Sequence, residues 1–196
     1  MADMDHPVSP DVLDKCDRYA EELRRWQKKI NLVGNSTLDK IYTRHILDAA
    51  QLIQSVPRGT VLDVGSGAGV PGLIWAIFSD QPIYLCERIG KKTAFLSYMV
   101  RELALGDHCK VINEDVTNVI GPFDIITARA VTYICEFLDL IQQILHKKSL
   151  VVLPKGAGYQ NELNEALKKW HFDVDIQSSR TNTDAKVLYL TSVFKR

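Results

Sequence analysis

Along residues 10–30, Val12, Leu13, Cys16, Tyr19, Ala20, Leu23, Trp26, Gln27 and Ile30 recur close to a 3.6-residue period, which predicts an amphipathic helix. Gly34-Asn35-Ser36-Thr37 breaks the pattern and offers a cap for a second helix over roughly 37–55, stopped by Val56-Pro57-Arg58-Gly59. The texture then changes. Short runs rich in β-branched residues at 60–64, 82–86, 110–112, 123–127 and 150–153 alternate with helix candidates near 70–79, 90–105, 132–146 and 158–170. Such alternation predicts βαβ units and a mainly parallel sheet. Two further strand-like runs, 172–177 and 186–194, are joined by a polar segment with no crossover helix, so they should pair antiparallel. The expected architecture is α/β: one domain over 1–196, with a helical N-terminal extension (1–57) and a doubly wound, mainly parallel seven-stranded core (58–196) ending in an antiparallel hairpin.

Composition changes this picture little. With 46% hydrophobic and 24% charged residues the chain reads as globular, and no apolar run approaches the roughly 18 residues needed to span a membrane. Met1 to Pro10 carries Asp3 and Asp5 but no basic or apolar leader region, so a cytoplasmic location is expected. The four cysteines, Cys16, Cys86, Cys109 and Cys135, are scattered without CxxC or Cys/His spacing; free thiols and no metal site are expected, with Cys135 read as a mid-helix core residue. The formal net charge is zero, which gives no support to a nucleic-acid partner by itself. Locally, Arg18, Arg24, Arg25, Lys28 and Lys29 face only Glu21 and Glu22, and the last quarter holds Lys147, Lys148, Lys155, Lys168, Lys169, Lys195 and Arg196. A solvated helix face explains such residues as readily as a polyanion site does.

The most specific motif is Asp63-Val64-Gly65-Ser66-Gly67-Ala68-Gly69-Val70-Pro71-Gly72, which follows the first strand and opens a helix. Glycines there let a ligand approach the backbone, at the carboxyl edge of the sheet where open α/β folds bind ligands. Gly67, Gly69 and Gly72 satisfy the dinucleotide pattern G-x-G-x-x-G, which keeps NAD open. The frame favours another cofactor: an acid two residues before G-x-G-x-G is similar to the methyltransferase loop for S-adenosylmethionine, with Asp63 near its methionine end and Gly65 and Gly67 making room. Glu87, at the end of the second strand, suits both ribose hydroxyls of either nucleoside. Asn113-Glu114-Asp115-Val116, after the third strand, is placed to meet an adenine.

The segment after the fourth strand reads Thr127-Ala128-Arg129-Ala130. It lacks the Pro-Pro motif of amino-group methylases, the aspartate of a Lys-Asp-Lys-Glu ribose enzyme, and a suitably placed cysteine nucleophile for carbon-5 chemistry. A nucleophile needing no deprotonation remains permissible. Guanine N7, a free lone pair at the major-groove edge, is one.

Several blocks together resemble the RsmG (GidB) family of small-subunit rRNA methyltransferases: Lys29-Ile30-Asn31-Leu32-Val33, Arg44-His45-Ile46-Leu47-Asp48, the loop Asp63–Gly72, Gly90-Lys91-Lys92 with Phe95-Leu96, Ala128-Arg129-Ala130, and Leu153-Pro154-Lys155-Gly156. The resemblance implies a Rossmann-like methyltransferase fold and transfer of a methyl group from S-adenosylmethionine to guanine N7 in 16S rRNA, on the small ribosomal subunit. It implies cofactor contacts from Asp63, Gly65, Gly67, Gly69, Val70, Glu87, Glu114, Asp115, Val116 and Arg129. Arg129 and Lys155 would act at the reacting base, and Arg44, His45, Lys91, Lys92, Lys155 and Lys186 would meet RNA. Arg44 pairing with Asp48 one turn on, and a packed His45, are the plainer alternatives. Where the family carries Arg-His at the start of the last strand, this chain reads Asp184-Ala185-Lys186-Val187, so Lys186 or Arg180 would have to supply that charge. A methyltransferase for a non-RNA substrate and an NAD-dependent oxidoreductase are the rival readings.

Overall fold

The computed structural model describes residues 8–196; residues 1–7, which carry most of the expectation about a leader, lie outside them. Helix α1 (Pro10–Gln27) starts where the Ser9 side chain accepts from the Val12 N–H, with Pro10 in the first turn where no N–H is needed. Its apolar stripe buries Cys16, Tyr19, Ala20 and Leu23, as the period predicts.

The helix expected over 37–55 is instead three consecutive pieces: a 3-10 turn (Asn35–Lys40), a π-helical turn (Tyr42–Leu47) and α2 (Asp48–Ile53). The reason lies across the interface. The guanidinium of Arg129 takes the Arg44 carbonyl at 2.9 Å. A side chain that claims a backbone acceptor inside a helix loosens the regular ladder at that turn.

Five strands are parallel: β1 (Val61–Val64), β2 (Ile83–Cys86), β3 (Cys109–Ile112), β4 (Ile125–Thr127) and β5 (Leu150–Lys155). The hairpin strands β6 (Trp170–Ser178) and β7 (Lys186–Lys195) complete one sheet in the order β3-β2-β1-β4-β5-β7-β6. The chain thus winds outward from β1 in both directions, with its switch point between β1 and β4, and β7 threads antiparallel between β5 and β6. Helices α3 (Gly72–Phe78), α4 (Gly90–Glu102), α5 (Ile134–Ile141) and α6 (Tyr159–Leu167) cover the faces.

Two apolar layers result. One, around Trp75, Phe95 and Met99, also receives the stripe of α1; the other gathers Phe137, Leu138, Trp170 and Leu188. Polar ties fix the N-terminal helices beside the glycine loop: Trp75 Nε1 donates to the Ala49 carbonyl and Tyr19 Oη to the Ala68 carbonyl, both at 2.9 Å. Among the described residues no helix is long and apolar enough to cross a membrane, and no group of three or more His, Cys, Asp or Glu could hold a metal. All four cysteines are free thiols, and burial pushes Cys16, Cys86 and Cys109 up to about 12. Cys135 differs from expectation. It sits in the first turn of α5 and is only partly buried, because that helix starts at Ile134.

Candidate active site

At the carboxyl ends of β1, β4 and β5 lies a cavity of about 900 Å³. One wall is the glycine loop. Gly65, Gly67 and Gly69 hold φ of +67°, +55° and +80°, a region that side chains disfavour. A Cβ placed on Gly67 would meet no atom nearer than 3.7 Å, so the main chain itself faces the open space. At Gly72 the reverse holds: a Cβ would strike Asp63 and Leu85 at 2.6 Å, because α3 lies directly against β1 and β2.

Two acids expected at the cofactor brace this loop from behind. Asp63 is fully buried; its Oδ2 accepts from the Gly72 N–H at 3.0 Å, while Oδ1 has no partner and burial pushes the carboxyl up to about 7. Glu87 accepts from the Gly67 N–H at 3.0 Å and the Ile89 N–H at 2.8 Å. Neither lines the cavity, and the 113–116 segment lies beside it too. Asp115 caps a 3-10 turn through Thr117 and pairs with Arg88 at 3.4 Å, Val116 is buried, and the Glu114 side chain is exposed. Gly65, Gly67 and Val70 do form the wall.

The facing wall is built on Arg129, just after β4. Its Nη1 donates to the Arg44 carbonyl and its Nη2 to His45 Nδ1, both at 2.9 Å, with Asp48 Oδ2 at 3.6 Å. A guanidinium only donates, so His45 Nδ1 must accept and its proton is assigned to Nε2, which donates to Thr37 Oγ1 at 2.9 Å. Burial, then the neighbouring Arg129 and Arg44 charges, lower His45 to about 4, and the ring is neutral. Asp48 also accepts from Thr181 and Gln51. Its ion-pair partner is Arg129 rather than the Arg44 expected one turn away.

After Arg129, Ala130 takes a left-handed φ of 55° and turns Val131, Thr132 and Tyr133 along the cavity. Lys155 clamps this loop. Its Nζ donates to Glu162 Oε2 at 2.7 Å and the Thr132 carbonyl at 2.9 Å, and Glu162 also accepts from the Ile134 N–H at 3.2 Å. β5 runs two residues beyond its expected end, which sets Lys155 opposite Lys186 in the β5–β7 register. Lys186 and Lys92 line the cavity, as does Arg44; Lys91 is exposed outside it. Sequence reasoning missed Glu162, Thr37, Gln51 and Thr181. A carboxylate seven residues after Lys155 carries no local signal, since strand and helix must fold back before the two meet.

A seven-stranded sheet of this order with a glycine loop at its switch point defines a Rossmann-like methyltransferase fold. Solved structures agree: a putative S-adenosylmethionine-dependent methyltransferase from Methanococcus maripaludis superposes with a TM-score of 0.61 at 16% identity, covering 98% of this chain and 99% of that one. Magnesium protoporphyrin IX methyltransferase from Synechocystis gives 0.59 at 16%, covering 95% and 100%. The chain belongs to the GidB family, described as rRNA small subunit methyltransferase G, whose model matches residues 12–189. Proteins named ribosomal RNA small subunit methyltransferase G are 35% identical in Bradyrhizobium diazoefficiens (97% of this chain, 75% of that one) and 34% in Ruegeria pomeroyi (95% and 94%).

Proposed function

We propose that this protein transfers the methyl group of S-adenosylmethionine to N7 of a guanine in 16S rRNA, with the small ribosomal subunit, assembled or in assembly, as substrate. The observation that carries this reading is that a main-chain-walled glycine loop and the Arg129 loop open on one cavity at the switch point of the sheet. The names of the family's members support the class of substrate.

The residues fit the cofactor. Gly67 offers bare backbone, Gly65 and Val70 flank it, and Gly69 holds the turn. Each Glu87 oxygen has one described donor, which leaves lone pairs for the ribose hydroxyls. Asp63 sets the loop from below, and Glu114, Asp115 and Val116 form the adjoining edge for adenine. When bound, S-adenosylmethionine supplies an electrophilic methyl group on a sulfonium.

The chain's own groups then position the base. Every acid or base facing the cavity is already engaged: His45 by Arg129 and Thr37, Asp48 by Arg129 and Thr181, Glu162 by Lys155, Glu136 by the Thr132 hydroxyl. That favours a nucleophile with a free lone pair, for which alignment in a shielded site suffices. Arg129, fixed by the Arg44 carbonyl and His45, presents its remaining N–H groups to the guanine, while Lys155 keeps the opposite rim in place.

The test is transfer of a radiolabelled methyl group to small subunits lacking this modification, followed by borohydride–aniline cleavage at 7-methylguanine. One cut in 16S rRNA, lost in Arg129→Ala, is expected. Cofactor binding without transfer to subunits or free rRNA would overturn the substrate.

A further inference from the structure

The two ends of β7 meet different cavities. Lys186, at its start, lines the site described above; Phe194 and Lys195, at its end, line a second cavity of about 680 Å³. Ten residues of strand separate them, roughly 30 Å. Four features mark the second cavity. Trp170, only 1% exposed, lines it and carries an indole N–H with no partner. A buried donor without an acceptor in the protein calls for an explanation. Ser192 holds a φ of 54°, unusual for a residue with a side chain, close to a register break opposite His171 and Asp173. Past that break Phe194 is 56% exposed, with one ring face stacked on His171 at 4.4 Å between centroids.

The fourth feature is charge. Lys147 lines the cavity, Lys148 follows it, and Lys169 lies where its carbonyl accepts from the Arg196 N–H. Lys168 and Lys195 are held by Glu165 and Asp139, and His146 faces Asp124. Among the described residues, Lys147, Lys148 and Lys169 have no carboxylate within ion-pair distance. The sequence as a whole is neutral, so this is a local concentration of unpaired positive charge beside an aromatic face.

We propose that this cavity is a second RNA contact, where a single-stranded segment of the substrate RNA stacks a base on Phe194 and lays its phosphates along Lys147 and Lys148. Stacking platforms flanked by cations are how proteins hold unpaired strands without reading sequence. Several lysines spread around one ring suit a polyanion better than a single nucleotide. The inference rests on the rRNA reading, and it adds that the enzyme grips its substrate at two points, on opposite ends of one strand. Only RNA folded or extended over such a span satisfies both.

The test separates binding from chemistry. Phe194→Ala and the double variant Lys147→Glu, Lys148→Glu are compared with the wild-type protein for affinity to protein-free 16S rRNA over a salt series. Methyl transfer to free rRNA and to assembled subunits is measured in parallel. Each variant should keep the thermal shift given by S-adenosylhomocysteine. RNA affinity should fall about 10-fold or more for Phe194→Ala, within the range known for losing one base–aromatic stack. The double variant should lower the salt slope by about 1.5 to 2, near one per lost phosphate contact. KM for RNA should rise with kcat nearly unchanged, and Phe194→Tyr should restore affinity. Unchanged affinity and slope would overturn the proposal, as would a loss seen with assembled subunits but not with free rRNA, which would mean a protein contact. Guanosine monophosphate binding that weakens in Phe194→Ala while RNA affinity stays intact would mean a small nucleotide site instead. A wild-type protein that binds RNA yet fails to methylate it would defeat the rRNA-methylation reading alone.

Discussion

Arg129 is held by three groups that share one property: none can follow it if it moves. A carbonyl in a π-helical turn, a neutral imidazole and a buried carboxylate fix the guanidinium on one side and leave its other N–H groups facing the cavity. Arg129→Lys keeps a charge but loses the planar fork. It should lower kcat by about 100-fold, the scale of a 1 Å misplacement, with S-adenosylhomocysteine affinity little changed. His45 is tested through pH. Its folded value of about 4 lies below the ordinary 6.5, so the unfolded chain takes up a proton first as pH falls. Stability should decline between about pH 6.5 and 4, and His45→Gln should flatten that slope in denaturant titrations. Asp63 has the opposite sign. Its carboxyl is raised from 3.8 to about 7, so the folded protein keeps a proton that the unfolded chain releases, and its contribution weakens as pH rises across that window. Asp63→Asn should remove this second dependence, and the difference between the two variants' pH profiles separates the groups. A His45→Gln profile parallel to the wild-type one would mean that the ring is not held neutral.

Among the elements, those with a strong internal period were legible and those shaped by a partner were not. The stripe of α1 and the β-branched runs of β1 to β5 state their own geometry, and the glycine loop announces itself because main-chain exposure demands that residue type. The 35–53 segment misled. Its sequence reads as one helix, but a side chain 85 residues away takes one of its carbonyls. Lys155 misled differently: it reads as a free cation, and in the fold it is one end of a clamp on Thr132 and Glu162. Glu162→Gln should therefore loosen residues 132–134, lowering stability by about 1–3 kcal/mol, since a buried charge loses its partner. Thermal denaturation reads the stability. Hydrogen exchange at Ile134, whose N–H is bonded to Glu162, reads the local opening.

For the whole molecule, the sheet decides what holds together. Leu188 on β7 is fully buried. Leu188→Ala should cost about 2–5 kcal/mol by chemical denaturation, with one cooperative transition rather than separate loss of the hairpin. The order of the strands also has a consequence in time. Residues 186–195 leave the ribosome after all the other strands, yet they occupy an inner place in the sheet. Until they arrive, β5 is a bare edge and the Ala185–Val187 rim of the cavity is missing. During its own synthesis, therefore, the nascent chain has no working site with which to hold the ribosome that is making it, and it becomes competent only after its last strand has been threaded home.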